Sequence, residues 1–118
     1  MLRGEPETAS PPAPGFERVA SLEEVPNGTL LTVTRQNGKQ VCVFNREGRV
    51  GALADQCTHQ AFPMSAGVLE PDGTIQCSWH GAKFDCESGV VCQGPAIDPI
   101  TIYETRVHDG EIWVGPGR

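Results

Sequence analysis

Short stretches of alternating apolar and polar residues run through most of the chain, and turn-forming residues separate them. Alternation of this kind is typical of strands that bury one face, and almost no helical period is present. The pattern predicts an all-β sandwich or barrel. The predicted strands cover residues 16–20, 29–35, 39–45, 49–54, 74–76, 82–86, 90–93, 100–107 and 111–114.

Turn signals support this series of strands. Asn37-Gly38 predicts a tight hairpin, and further turns are predicted where an acidic or serine residue precedes glycine. These are Glu47-Gly48, Asp72-Gly73, Ser88-Gly89 and Asp109-Gly110. Ser21 followed by Glu23 and Glu24 predicts one helical turn, which Pro26 ends.

Two segments lack the alternation. Residues 1–15 contain four of the ten prolines and few apolar side chains, so we expect a disordered, proline-rich tail. Residues 55–96 contain four of the five cysteines and two of the three histidines. The sequence therefore predicts one domain over 16–115, with a small subdomain of loops and short strands at about 55–96.

Composition and charge exclude several classes of protein. With 118 residues, 38% of them hydrophobic, the chain can bury one core. Fifteen acidic against nine basic residues give a net charge of −6, which argues against nucleic-acid binding. No long apolar run or apolar leader is present, so we expect a cytoplasmic protein with no membrane partner. In such a compartment, cysteines close to histidines indicate metal before disulfides.

The cysteines and histidines form two pairs. Cys57-Thr58-His59 is followed, after seventeen residues, by Cys77-Ser78-Trp79-His80. Each loop supplies one thiolate and one imidazole, so together they make a four-ligand site. Zinc accepts two cysteines and two histidines tetrahedrally. A [2Fe–2S] cluster can take both thiolates on one iron and both imidazoles on the other. Zinc fingers usually pair cysteine with cysteine and histidine with histidine, so loops that each supply one of both favour the cluster.

These residues, together with Gly81, the run 82–85, Ser88-Gly89 and the run 94–96, resemble the cluster-binding segment of Rieske proteins. The length and the C-terminal hairpin are similar to those of small Rieske ferredoxins from bacterial aromatic-ring dioxygenase systems. The resemblance implies a Rieske-type antiparallel β-sandwich that binds one [2Fe–2S] cluster. It further implies that Cys57 and Cys77 hold the inner iron, that His59 and His80 hold the outer iron near the surface, and that Pro95 caps the site.

The implied function is one-electron transfer. The resemblance assigns the chain to electron transport from an NAD(P)H-dependent flavoprotein reductase to a terminal Rieske oxygenase, as a monomer and not as an enzyme in itself. One alternative is the small Rieske-like subunit of a nitrite reductase, a family that often lacks some ligands, whereas all four are present here. A structural zinc module is another.

The differences from high-potential Rieske proteins predict a low reduction potential. Those proteins form a disulfide between the two loops, where this chain has Phe62 and Trp79. They also have hydroxyl residues that donate to cluster or ligand sulfur, where this chain has Ala82 and Phe84. Fewer donors stabilise the reduced cluster less, so we expect a midpoint near the bottom of the Rieske span of about −150 to +300 mV.

The remaining candidate residues receive simpler interpretations. Cys42 is predicted to lie in the core, and Cys86 and Cys92 are predicted to be free thiols on opposite faces. His108, beside a hairpin turn, is expected to be solvated.

Partners are expected to dock at a tip around His59 and His80. The other members of this tip are Gln60, Ala61, Phe62, Trp79 and Pro95.

Overall fold

The computed structural model describes residues 14–56, 63–77, 81–94 and 98–117. Within these ranges the chain forms ten strands and two short 3-10 turns, Leu22–Glu24 and Met64–Ala66. The strands are β1 (Glu17–Ser21), β2 (Leu30–Thr34), β3 (Gln40–Arg46), β4 (Arg49–Ala54), β5 (Val68–Leu69), β6 (Thr74–Gln76), β7 (Lys83–Asp85), β8 (Val91–Gln93), β9 (Ile102–His108) and β10 (Glu111–Gly117).

The larger sheet has six strands in the order β1-β10-β9-β4-β3-β2, with every neighbouring pair antiparallel. A side chain joins its two ends. Arg35, which follows β2, donates from Nε to Glu17 of β1 at 2.6 Å and from Nη1 to the carbonyl of Gly115 in β10 at 2.7 Å. The sheet therefore curls toward a barrel.

The smaller sheet has four short antiparallel strands in the order β5-β6-β7-β8. Charged side chains connect it to the larger sheet. Arg46 at the end of β3 donates to the carbonyl of Pro71 at 3.4 Å, and Arg49 of β4 forms an ion pair with Glu87. Because the second pair is exposed, its contribution to stability is small.

Alternation along β3 separates two hydrophobic cores. Val41 and Val43 point into the curled sheet, whereas Cys42 and Phe44 point toward the small sheet. The core between the sheets contains Cys42, Phe44, Leu53, Met64, Ile75, Cys77, Ala82, Phe84, Cys86, Ile100 and Ile102. The smaller sheet packs against the larger one through this core, which includes the predicted ligand Cys77.

The predicted fold class is confirmed, and each of the nine predicted strands has a counterpart in the structure. Strand β5 and the 3-10 turn at Met64–Ala66 were not predicted, because each is too short to show a period. Asn37-Gly38 lies in the loop of the β2–β3 hairpin, as predicted, and Thr34 pairs with Gln40 on either side of it. Gly38 donates to the carbonyl of Arg35 at 2.8 Å, and Gly38 has a φ of +87°. Residues 1–13 of the predicted tail lie outside the described residues.

Candidate metal centre

Cys77 is the predicted ligand that the structure describes. It directly follows β6, and its side chain is 1% exposed. Its main-chain N–H donates to the carbonyl of Ala82 at 2.7 Å, just before β7 begins. Cys77 and Ala82 therefore pair across the connection between β6 and β7. Trp79 and the predicted ligand His80 come between them in the sequence and lie outside the described residues.

The first predicted ligand loop begins after β4 and ends at the 3-10 turn Met64–Ala66. Cys57 and His59 lie within it, again outside the described residues, as do Gln60, Ala61 and Phe62. Its two ends are described. Leu53, near the start, and Met64, at the end, are fully buried in the core that contains Cys77. The bases of the two loops therefore pack into one core, which is what a shared metal centre requires.

A network around Asp55 closes the base of the first loop. Asp55 Oδ1 accepts a hydrogen bond from the main-chain N–H of Ser65 at 2.7 Å. Oδ2 accepts from the hydroxyl groups of Ser65 at 3.0 Å and Thr32 at 2.8 Å. The sequence pattern did not predict this network, although an aspartate at the end of a buried strand and two residues before Cys57 was a usable signal.

A third segment is tied to the second loop. Gln93 at the end of β8 donates from Nε2 to the carbonyl of Gly81 at 2.9 Å. Gly81 has a φ of +76°, so the conformation of the backbone requires glycine there. Gly94 is exposed, with open space where a Cβ would stand. Pro95, the predicted cap, lies outside the described residues.

The other three cysteines lie outside the two predicted ligand loops. Burial, with a smaller effect of the Asp55 charge, raises the pKa of the Cys42 thiol. Burial, followed by the charge of Asp85, raises the pKa of Cys86. Both therefore remain protonated thiols at neutral pH. Cys86 is buried and Cys92 exposed, and neither is in a disulfide, as predicted.

No group of three or more histidine, cysteine or acidic residues in the described ranges could hold a metal ion. His108 is partly exposed, with Nε2 3.4 Å from a carboxylate oxygen of Asp109, in agreement with a solvated histidine. The donors that the sequence predicts are the two thiolates and two imidazoles of the paired loops. Two soft anionic ligands and two neutral nitrogen ligands fit a [2Fe–2S] cluster with two distinct irons.

Comparisons with known proteins agree with this donor set. The model of the Rieske [2Fe-2S] domain matches residues 16–104. The chain belongs to the Rieske [2Fe–2S] family. A Rieske domain binds a [2Fe–2S] cluster, so the predicted cofactor is confirmed and the zinc alternative is not supported.

The relatives are electron-transfer subunits. The chain is 32% identical to the biphenyl dioxygenase ferredoxin subunit of Pseudomonas sp. (strain KKS102), over 84% of this chain and 90% of that protein. It is 35% identical to the 3-phenylpropionate/cinnamic acid dioxygenase ferredoxin subunit of Escherichia coli (strain K12), over 79% of this chain and 86% of that protein. These relatives are not catalytic subunits, which agrees with the prediction that the chain is not an enzyme in itself.

Solved structures give the same result. A chain in a complex of reduced oxygenase and oxidised ferredoxin in carbazole 1,9a-dioxygenase matches with a TM-score of 0.80 and 26% identity, over 87% of this chain and 94% of that chain. A nitrite reductase small subunit from Mycobacterium tuberculosis matches with a TM-score of 0.76 over 87% of this chain and 94% of that chain, but at 22% identity it shows the shared fold alone. No helix in the described ranges is long and apolar enough to span a membrane.

Proposed function

We propose that this chain is the ferredoxin of an aromatic-ring dioxygenase system. It accepts one electron at a time from an NAD(P)H-dependent flavoprotein reductase and delivers it to a terminal oxygenase. The observation that carries the proposal is the identity of 32–35% to ferredoxin subunits over most of both chains. The complex of an oxygenase with a ferredoxin of this fold supports the partner.

We assign the cluster ligands to Cys57, His59, Cys77 and His80. A bound [2Fe–2S] cluster supplies reversible one-electron transfer. Cys77 would hold the inner iron from the core, where its burial keeps water from the thiolate. His59 and His80 would hold the outer iron on the side that faces partners.

The same proposal covers the arrangement of the whole chain. Residues 16–115 would act as one unit, residues 1–15 as a tail outside it, and the protein would work as a cytoplasmic monomer. Partners would dock at the tip formed by Gln60, Ala61, Phe62, Trp79 and Pro95 around the two histidines. Transient redox contacts are small, often below about 1,200 Å², so a small tip is sufficient.

Reconstitution tests this function. Purified holoprotein is combined with an NADH-dependent ferredoxin reductase and a terminal oxygenase from an aromatic dioxygenase system, and hydroxylated product is measured against NADH consumed. Product formation should require this chain and should saturate with its concentration. The nitrite reductase alternative would be favoured instead if the chain purified with a sirohaem subunit and stimulated nitrite reduction.

A further inference from the structure

Asp55 is the one buried charged side chain in the part of the chain that the structure describes, with 5% of its surface exposed. A buried carboxylate is unfavourable unless hydrogen-bond donors surround it. Asp55 has three, from the Ser65 main chain at 2.7 Å, the Ser65 hydroxyl at 3.0 Å and the Thr32 hydroxyl at 2.8 Å. The Thr32 and Ser65 hydroxyl groups also contact each other. The fold therefore places a specific set of donors around this charge.

The donors come from both sides of the first ligand loop. Asp55 precedes the loop and Ser65 follows it, so the carboxylate joins its two ends. Thr32 belongs to β2, the edge strand of the large sheet, and ties both ends to that sheet. The main-chain N–H of Asp55 also donates to the carbonyl of Gln40 in β3 at 3.2 Å. Fixing both ends of a loop reduces the conformations that its residues can reach.

We propose that Asp55 is the positioning residue of the first ligand loop. By holding Ser65 and Thr32 it fixes the two ends of the segment that carries Cys57 and His59, and so preorganises two of the four cluster ligands. The inference rests on the proposed ligand set. Asp55 also places a carboxylate group beside the loop. Net charge near an iron–sulfur cluster is one determinant of its potential, and a nearby negative charge opposes reduction.

Asp85 provides a matched control. Its Oδ1 accepts hydrogen bonds from the main-chain N–H groups of Glu87 at 2.8 Å and Ser88 at 3.0 Å, so it too closes a turn through its carboxylate. It lies at the end of β7, whereas the second ligand loop meets the beginning of that strand. Replacing Asp85 therefore weakens the fold without releasing a ligand loop.

The experiment compares full-length holoprotein variants D55A, D55N and D85A with the wild type. Urea unfolding gives the loss of stability, and bleaching of the visible spectrum in excess chelator gives the rate of cluster loss. D55A should lose the cluster at least tenfold faster than D85A at a comparable loss of stability. D55N keeps an oxygen for the Ser65 N–H and should recover most of the retention. The midpoint potential of D55N should rise by about 59 mV, because the charge is gone. This shift corresponds to a tenfold change in the equilibrium constant for reduction.

A second pair of variants keeps the test decisive if D55A does not accumulate. Thr32 and Thr34 lie on the same face of β2, and only Thr32 is bonded to Asp55. T32V should speed cluster loss and T34V should not. The role of Asp55 is overturned if D55A loses its cluster no faster than D85A, and T32V no faster than T34V. D55A and T32V would then also keep the electron paramagnetic resonance spectrum and the midpoint of the wild type. A wild-type protein without a [2Fe–2S] cluster would overturn both this inference and the proposed function.

Discussion

Cys77 and Ala82 close the second ligand loop from its two sides. The Cys77 N–H donates to the Ala82 carbonyl at 2.7 Å, and both side chains are buried in the core between the sheets. The methyl group of Ala82 thus lies at the base of the loop that supplies Cys77 and His80. Phe84, two residues further, is fully buried in the same core. Neither residue brings a hydroxyl group to this region.

Restoring these hydroxyl groups should raise the midpoint potential. In A82S and F84Y a new donor can stabilise the extra charge of the reduced cluster. A hydrogen bond to a charged acceptor is worth about 1.5–3 kcal/mol. At 59 mV for each factor of ten, each variant should shift the midpoint upward by on the order of 60–130 mV from a wild-type value near −150 mV. Voltammetry at neutral pH measures this.

Two hydroxyl groups placed elsewhere provide the controls. F44Y adds one to another ring of the same core, and A20S adds one to the core inside the curled sheet. Neither should move the midpoint by more than a fraction of those shifts. A wild-type midpoint above about +100 mV would contradict the argument from missing donors.

Replacing a ligand histidine should remove the cluster. H80A and H59A each delete one of the imidazoles assigned to the outer iron, so iron and labile sulfide should fall from about two of each per chain toward zero. H108A is the matched control, because His108 is the partly exposed last residue of β9, next to Asp109. It should keep the full iron and sulfide content. Full retention of a wild-type spectrum in H80A would show that the ligand assignment is wrong.

A charge at the proposed docking tip should slow electron transfer and leave the cluster unchanged. F62E and Q60E place an unpaired carboxylate where partners are proposed to dock. Their visible spectra and midpoints should match the wild type, while the stopped-flow rate of oxygenase reduction should drop severalfold. V107E is the control, since Val107 is 48% exposed near the far end of β9. Equal rates for all three would place the exit of the electron elsewhere.

The carboxylate of Asp85 should stabilise the folded protein at neutral pH and lose this effect in acid. Hydrogen bonds from the main chain of Ser88 and then of Glu87 lower the pKa of its carboxyl group. The ionised form is therefore favoured in the folded state, and its contribution is complete above the unfolded value of about 3.9. It is lost as the pH falls through the lowered pKa of the folded state. D85N should thus cost about 1 kcal/mol of unfolding free energy at pH 7 and progressively less below about pH 4.

Urea titrations across this range test the prediction. D109N is a suitable control, because Asp109 is exposed and has a φ of +53°, which asparagine tolerates. The gap between wild type and D85N should close with acid, while D109N should stay near the wild type at every pH. A constant gap would mean that the carboxyl charge is not what stabilises the turn.

Local patterns in the sequence specified most strands, the main turns and the cofactor. Alternation placed Cys42 in the core and predicted that Cys86 and Cys92 face opposite ways, because side chains in a strand change face at every residue. The types and spacing of the predicted ligands indicated the cofactor, because the residues that carry this pattern lie within two short runs of the chain.

Only the tertiary structure decided which distant segments meet. The curl of the large sheet depends on Arg35 reaching Glu17 and Gly115, and the network under the first loop depends on Asp55 meeting Thr32 and Ser65. Strand β5 exists because Val68 and Leu69 pair with β6. Such contacts leave no period in the sequence. They form because burying two apolar cores fixes the path of the chain, and polar groups taken into that interior must then find partners there.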